Sequence, residues 1–405
     1  MDRDAKDRLR ATIGGHFLVD LYSPILPIIL PALITNMGLS FFLAGAIVTV
    51  YNVTSSLVQP VAGLYSDRTG WRASIPLCIL ISCLGISFSV LAGNYLVMLI
   101  LVSAAALGTA LFHPAAMESV NRLSPPYKLG VYNSIFTTSG SISYAFGPLI
   151  AGILITFFGL SSIAWMVIPG IIGAVWIYRI EKSRVSMHDT QVFRKRPAEP
   201  VQRERYWWVP AGLVVTLCSL RAWAYIGIIT YLPALLILGK NGMDTVTTSF
   251  IVTVMLCTGV GGQIAGGYLS DRFGRKNMLV FGFACAIPFF CMIFLAPGWM
   301  MYLGICMYSF FACFCYVTSV TMTQELLPGS VGFASGLTLG LCVGVGGVGA
   351  GITGWAADVM GSLPDAMFLL VIPTILCPVL ALFIRYPEKG RSLPERKEDT
   401  RIIDE

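Results

Sequence analysis

A ten-residue stretch of this chain recurs with its Gly, Ser, Asp, Arg, Gly and final base in place, and the repetition limits the folds open to it. Gly63-Leu64-Tyr65-Ser66-Asp67-Arg68-Thr69-Gly70-Trp71-Arg72 returns as Gly267-Tyr268-Leu269-Ser270-Asp271-Arg272-Phe273-Gly274-Arg275-Lys276, displaced by 204 positions in a chain of 405. A displacement of about half the length predicts a duplicated half. Each copy lies between two long apolar runs. Its glycines permit a tight turn and close helix approach. Asp67 or Asp271 can face a helix N-terminus, while the following Arg68 or Arg272 holds a carbonyl end or a carboxylate. A latch between conformations is the expected role, ahead of direct contact with a ligand.

The apolar runs set the class. Hydrophobic residues make up 56% of the chain and charged residues 12%, and the mean hydropathy is +0.76, which excludes an ordinary soluble domain. Windows of about 20 apolar residues predict spans near 13–35, 41–62, 74–93, 96–118, 130–156, 161–179, 208–237, 246–268, 277–296, 299–322, 332–356 and 366–385. The expected fold is an all-α membrane protein of twelve transmembrane helices in two pseudo-symmetric six-helix bundles. The expected organisation is an N-terminal bundle over 1–179, a cytoplasmic linker over 180–207, a C-terminal bundle over 208–386 and a cytoplasmic tail over 387–405.

Basic residues orient these spans. The segments 1–12, 63–73, 119–129, 179–207, 268–276 and 385–405 fall on one side and hold 25 of the 27 Lys and Arg residues, leaving Lys240 opposite and Arg221 within a span. The positive-inside rule puts both termini in the cytoplasm of a cytoplasmic (inner) membrane. The net charge of +6 therefore reads as topology, and no nucleic-acid partner is expected. No small-residue cleavage site follows the charged start, so the first span should be retained. The basic run Arg194-Lys195-Arg196 belongs to the linker and could touch anionic lipid.

Eleven cysteines are scattered through apolar spans as small hydrophobes, with no disulfide or metal site expected. The three histidines, at 16, 113 and 188, offer no spacing for metal ligation or for a catalytic base, and an enzyme is not expected. Charge placed in lipid is more informative, because at mid-bilayer it costs about 3 kcal/mol. His16 and Asp20 are spaced i, i+4 on one face of the first span. Asp20 is expected about 12 Å along that helix, either in a structural ion pair or as a proton carrier. His113, before Pro114 in the fourth span, should lie at similar depth and can titrate near neutral pH. Glu118 is expected to pair with Arg122 near the interface. Arg221 cannot shed its proton, so it should either pair with Asp20 or await an anionic ligand in a water-filled cavity.

Small residues mark two further spans. Ser143-Tyr144-Ala145-Phe146-Gly147-Pro148-Leu149-Ile150-Ala151-Gly152 is echoed by Gly336, Gly340, Gly344, Gly346, Gly347, Gly349, Gly351 and Gly354. The fifth and eleventh spans are therefore expected to carry the moving contact between halves, with Pro148 as a bend.

The repeated loop resembles the signature loop of the major facilitator superfamily of transporters. The stretch around Gly147-Pro148 resembles that superfamily's antiporter motif, with Ser143 and Ala151 in place of two glycines. His16 to Asp20, Ser55 to Gly63, Phe112-His113-Pro114, Gln324 to Gly329, Gly332 and Ser335-Gly336 resemble the fosmidomycin-resistance subfamily across both halves. The resemblance implies a proton-driven antiporter that exports a small anionic or amphipathic compound, such as a phosphonate antibiotic, by alternating access. It implies a cavity lined by the first, fourth, seventh and tenth spans. Proton coupling would fall to Asp20, His16 and His113, and substrate contact to Arg221, His113, Tyr22, Tyr225 and Tyr316. Gating would fall to the two loops, to Gly147 and Pro148, and to Glu325 with Arg122 or Lys128. The subfamily carries a Lys where this chain has Arg221 and a Glu where it has Ala115. Its partners would be substrate, protons and membrane lipids, for a monomer with no cofactor. A proton-coupled importer of small organic acids and a lipid or lysolipid translocator remain alternatives.

Overall fold

The computed structural model describes residues 3–182, 208–239, 242–327 and 331–386. The linker beyond Lys182, the tail from 387 and His188 lie outside the described residues. The long elements are α1 (Arg3–Asp20), α2 (Ile25–Met37), α3 (Phe41–Thr69), α4 (Ile75–Ser89), α5 (Tyr95–Leu123), α6 (Leu129–Phe158), α7 (Val167–Lys182), α8 (Trp208–Leu238), α9 (Thr245–Phe273), α10 (Arg275–Leu295) and α11 (Trp299–Leu326). After them come α12 (Val331–Ser335), a π-helical stretch (Gly336–Leu341), α13 (Cys342–Met360), α14 (Leu363–Phe368) and α15 (Val371–Phe383). The protein is an all-α, multi-pass membrane protein. Among the described residues, eleven spans are long and apolar enough to cross a bilayer, α1 and α2 forming one of them, and α4 is a shorter apolar helix. Apolar side chains such as Leu57, Leu96, Ile100, Phe157 and Ile264 stay exposed on the outer faces, where lipid rather than water satisfies them.

Several boundaries differ from the sequence expectation, and α3, α5 and α9 run past their expected ends at 62, 118 and 268 to Thr69, Leu123 and Phe273, so that most of each repeated loop is helical. The first span starts at Arg3 and is interrupted after Asp20, which places Asp20 about 25 Å along the helix rather than 12. The span expected over 74–93 is the 15-residue α4, about 22 Å long. It ends early because Asn94 starts α5, accepting the Val97 N–H at 3.0 Å. The sixth span runs three residues into the expected linker, to Lys182.

The repeat extends beyond the two loops. Ser40 and Asp244, also 204 positions apart, are the N-caps of α3 and α9, accepting the N–H groups of Leu43 at 3.3 Å and Thr247 at 2.8 Å. The Thr247 backbone bond holds the Asp244 carboxyl below the usual carboxylate range. Gly70 and Gly274 close the same two helices at φ of 72° and 92°, a region in which other residues are strained.

Two seams join the helices before the linker to those after it, α3 against α13 and α6 against α9. Small residues make both possible. A Cβ on Gly347 would lie 2.6 Å from the Asn52 side chain, and one on Gly344 would lie 3.1 Å from Ser56. One on Gly152 would fall closer still to Ser249. The fifth and eleventh spans therefore each pack on the long helix of the opposite set.

The end of the bundle away from Gly70 and Gly274 is closed by polar contacts across the sets. Asp358 of α13 accepts the Phe41 and Phe42 N–H groups, both at 2.8 Å. Tyr231 of α8 donates to the Phe41 carbonyl at 2.8 Å, and Thr49 donates to the Gly347 carbonyl at 2.6 Å.

The loop end is arranged otherwise than expected. Glu118 pairs with Arg72 at 2.6 Å, not with Arg122. Glu325, expected to bridge to Arg122 or Lys128, is held by Arg275 at 2.6 and 2.7 Å and by the Tyr386 hydroxyl. In the first set the base closing the repeated stretch, Arg72, meets the acid near the end of the fourth span; in the second the base before the closing Lys276, Arg275, meets Glu325 near the end of the tenth, and Lys276 donates to the Leu382 carbonyl at 2.9 Å. Glu325 is thus met by a base of its own set rather than by Arg122 or Lys128 of the other.

Candidate proton and anion site

Span one breaks where its polar residues stand. Pro24 and Pro27 have no N–H to give to the Asp20 and Ser23 carbonyls, and Ile25 donates to Tyr22 at 3.1 Å, one residue short of the helical register. The chain therefore turns over 21–24 before α2 resumes. Gly147 of α6 abuts this turn. A methyl group there would lie 2.5 Å from the Leu21 carbonyl oxygen and 2.7 Å from Pro24.

Directly before the break, Asp20 sits between two imidazoles. Its Oδ2 is 3.1 Å from His16 Nε2 and its Oδ1 is 3.5 Å from His113 Nε2. His16 is fixed from the other side as well. Its Nδ1 donates to the Phe136 carbonyl at 2.7 Å, and its ring stacks on Phe136 with centroids 4.0 Å apart. A carbonyl only accepts, so Nδ1 carries a hydrogen, and Nε2 faces the carboxylate either as a lone pair or as an N–H. A lone pair against a carboxylate oxygen at 3.1 Å repels, so the contact holds together when one proton lies on the pair. Side-chain exposure rises from 8% at His16 to 20% at Asp20 and 27% at His113, so His113 is the member most open to water.

Gly140 provides the room. A Cβ at that position would fall 2.5 Å from Asp20 Oδ2 and 2.6 Å from His16 Nε2. Gly140 lies seven residues before Gly147, on the same helical face, and that spacing was the available sequence sign of its role. A buried hydroxyl chain stands one turn from His113, with Tyr51 to Thr109 at 2.9 Å and Thr109 to Ser82 at 3.1 Å. Sequence reading did not anticipate these residues.

Arg221 is the centre of a second polar cluster. It is 7% exposed, its guanidinium lies 4.6 Å from the Tyr316 ring centroid and 5.9 Å from that of Tyr225, and its Nε has no hydrogen-bond partner. Tyr225 shares a 2.9 Å bond with Ser309 and lies 3.4 Å from Cys313 Sγ. The sequence therefore placed Arg221, Tyr225 and Tyr316 in one cluster. The ion pair considered between Arg221 and Asp20 is not formed in this conformation, because the two histidines already occupy both carboxylate oxygens. Tyr22 is also corrected. It lies in the turn over 21–24, is fully buried and donates to the Met166 carbonyl at 2.9 Å.

The gating candidates are dispersed along the seams and turns. Asp271 pairs with Arg275 at 2.9 Å, and Arg272 lies over the Phe273 ring. Arg68 is exposed, and Asp67 falls in the last turn of α3. Gly63 and Gly267 are loosely surrounded: a methyl added to either would meet nothing nearer than Pro114 at 3.9 Å and Val317 at 3.8 Å. The close approach is made instead by Gly262 and Gly266, against the Phe310 and Phe314 carbonyls. All eleven cysteines are free thiols. The expectation that the histidines could not gather metal donors does not hold. His16, Asp20 and His113 bring one donor atom each within 4.8 Å of one another, through a tertiary contact that separation along the chain could not reveal.

The chain is similar to known proteins over most of its length. The profile of the Major Facilitator Superfamily matches residues 12–351 and 236–404. The fosmidomycin resistance protein of Escherichia coli K12 is 25% identical over 85% of this chain and 84% of its own length. YfnC of Bacillus subtilis, an uncharacterised MFS-type transporter, is 27% identical over 93% and 92%. Among solved structures, an inward-facing, unoccupied bacterial homologue of the human lysosomal transporter Spinster superposes with a TM-score of 0.75 at 16% identity, covering 96% of this chain and all of that one. The nucleoside transporter NupG superposes at 0.74 with 10% identity over 94% of this chain. These two likenesses describe the fold alone.

Proposed function

Because the chain belongs to the major facilitator superfamily, a family of membrane transporters, we propose that it is a proton-coupled antiporter exporting a small anionic or amphipathic compound. The proposed setting is the cytoplasmic membrane, with both termini inside and the chain working as a monomer. The observation that carries the reading is the single proton required between His16 and Asp20 at 3.1 Å, in a chain that also buries a permanent cation at Arg221.

The cycle follows from these groups. With the Asp358 end closed, entry in this cycle is assigned to the loop end, which the positive-inside rule makes cytoplasmic. An anion entering there meets Arg221, whose unpartnered Nε supplies a charge-assisted hydrogen bond. Loss of the shared proton, by way of the more exposed His113, leaves a lone pair facing a carboxylate. Asp20 must then move. It stands at the break between α1 and α2, so its displacement changes the angle at which the span crosses the bundle, while the glycine seams let the two sets rock. Outside, protonation restores the pair as the anion leaves. The name of the Escherichia coli relative makes fosmidomycin the first compound to try.

The test is purified protein in liposomes carrying an internal pH dye, challenged with fosmidomycin and then with other phosphonates, carboxylates and lipophilic cations. Proton flux opposite to substrate flux supports antiport. Flux of both in one direction assigns import instead, and no flux with any compound removes proton coupling from the reading.

A further inference from the structure

The donor geometry beside Gly140 suits more than a proton. We infer that His16, Asp20 and His113 form a binding site for a transition-metal dication such as Zn²⁺. Four-coordinate zinc holds nitrogen and oxygen ligands at about 2.0–2.1 Å, which sets neighbouring ligand atoms about 3.3 Å apart. The two contacts here, 3.1 and 3.5 Å, straddle that value though they run to different oxygens of Asp20, and one donor atom from each of the three residues lies within 4.8 Å of the others. Two imidazoles and one carboxylate leave a fourth position for water or for an anion from the cavity.

The surroundings match those of a ligating histidine. A metal-bound imidazole ordinarily gives its other N–H to a carbonyl or carboxylate, which fixes ring and tautomer. His16 does so, with Nδ1 on the Phe136 carbonyl at 2.7 Å and Nε2 turned to the site. Gly140 leaves the space between His16 Nε2 and Asp20 Oδ2 free of any side chain. His113, the most exposed of the three, borders the route of entry. The inference stands on donor positions and not on the proton-coupled reading. Its consequence is that a dication competes for the groups that cycle in transport, so micromolar metal in a buffer would arrest the carrier.

The experiment is calorimetric titration of untagged, metal-free protein with ZnCl₂. One ion per chain is expected for the wild type and for His188→Ala. His113→Ala and Gly140→Ala should each weaken binding by at least about tenfold. The Gly140 variant keeps all three donors and only fills the space between them. If that variant does not fold, His113→Ala decides alone. Absence of Zn²⁺ binding, or binding unchanged in His113→Ala, overturns the site. Proton-coupled transport in a chain that binds no Zn²⁺ would do the same while leaving the antiport reading intact.

Discussion

Asp358 and Phe41 are joined across the two helix sets by a short polar contact. The Phe41 N–H donates to Asp358 Oδ1 at 2.8 Å, and the Phe42 N–H occupies the other oxygen. These are the first N–H groups of α3, which have no partner inside their own helix, and the charge that satisfies them comes from α13. Closure at this end is therefore held by a helix cap borrowed from the opposite set. Replacing Asp358 with Ala should cost about 1–2 kcal/mol locally. Amide hydrogen exchange at Phe41 and Phe42 should quicken by roughly 5- to 30-fold. Unchanged exchange would show that the cap does not hold the closed end.

Asp20→Asn separates coupling from folding. The amide can donate to His16 Nε2, so the contact survives without a mobile proton. Substrate counterflow, which needs no proton movement, should persist, while export driven by a pH gradient should disappear. Gradient-driven export by this variant would remove Asp20 from the mechanism.

Arg221→Lys keeps the charge and loses the planar stack over Tyr316, and Arg221→Ala loses both. Anionic substrates should suffer progressively in KM across the pair, by about tenfold or more for Ala. A neutral substrate of similar size should change little. Equal losses for both would give Arg221 a structural role.

Two glycine substitutions should part in opposite directions. Gly147→Ala places a methyl 2.5 Å from the Leu21 carbonyl oxygen, whereas Gly63→Ala meets only Pro114 at 3.9 Å. The first should destabilise by about 1–3 kcal/mol. The second should be neutral or slightly stabilising, because alanine is the better helix former by about 1 kcal/mol. Melting curves of the two variants in the same detergent test the contrast.

The two loop clasps differ in the burial of the base and in the number of bonds to the acid. Glu325 also meets the Tyr386 hydroxyl, while the acids Glu118 and Glu325 are 35% and 43% exposed. Arg275 is 18% exposed and meets both Asp271 and Glu325, while Arg72 is 40% exposed on its contact with Glu118. Exposed pairs contribute about 1 kcal/mol or less. Glu118→Gln should therefore leave the melting temperature nearly unchanged, and Glu325→Gln should lower it measurably.

The sequence was informative where periodicity and local spacing carry the signal. Apolar windows located the spans, the 204-residue displacement exposed the duplication, and the i, i+4 spacing put His16 beside Asp20. It was silent where the deciding contact joins distant segments. The break over 21–24 is hidden inside an apolar window, because membrane helices tolerate proline and hydropathy does not register a missing N–H. Glu325 was assigned a partner by sign of charge alone, while proximity within one set selected Arg275. The role of Gly140 depends on side chains more than a hundred residues away. Tyr22 falls within the same break over 21–24, where helical spacing no longer fixes the direction of a side chain.

The single proton shared by His16 and Asp20 also sets the carrier's energetics. In the proposed cycle one proton enters as one anion leaves, and both movements carry positive charge inward. Each charge gains about 2.3 kcal/mol from a 100 mV potential, whereas one unit of pH difference adds about 1.4 kcal/mol. Voltage would then be the larger driving force. A vesicle clamped at equal pH, with only an inside-negative potential, should still expel an anionic substrate.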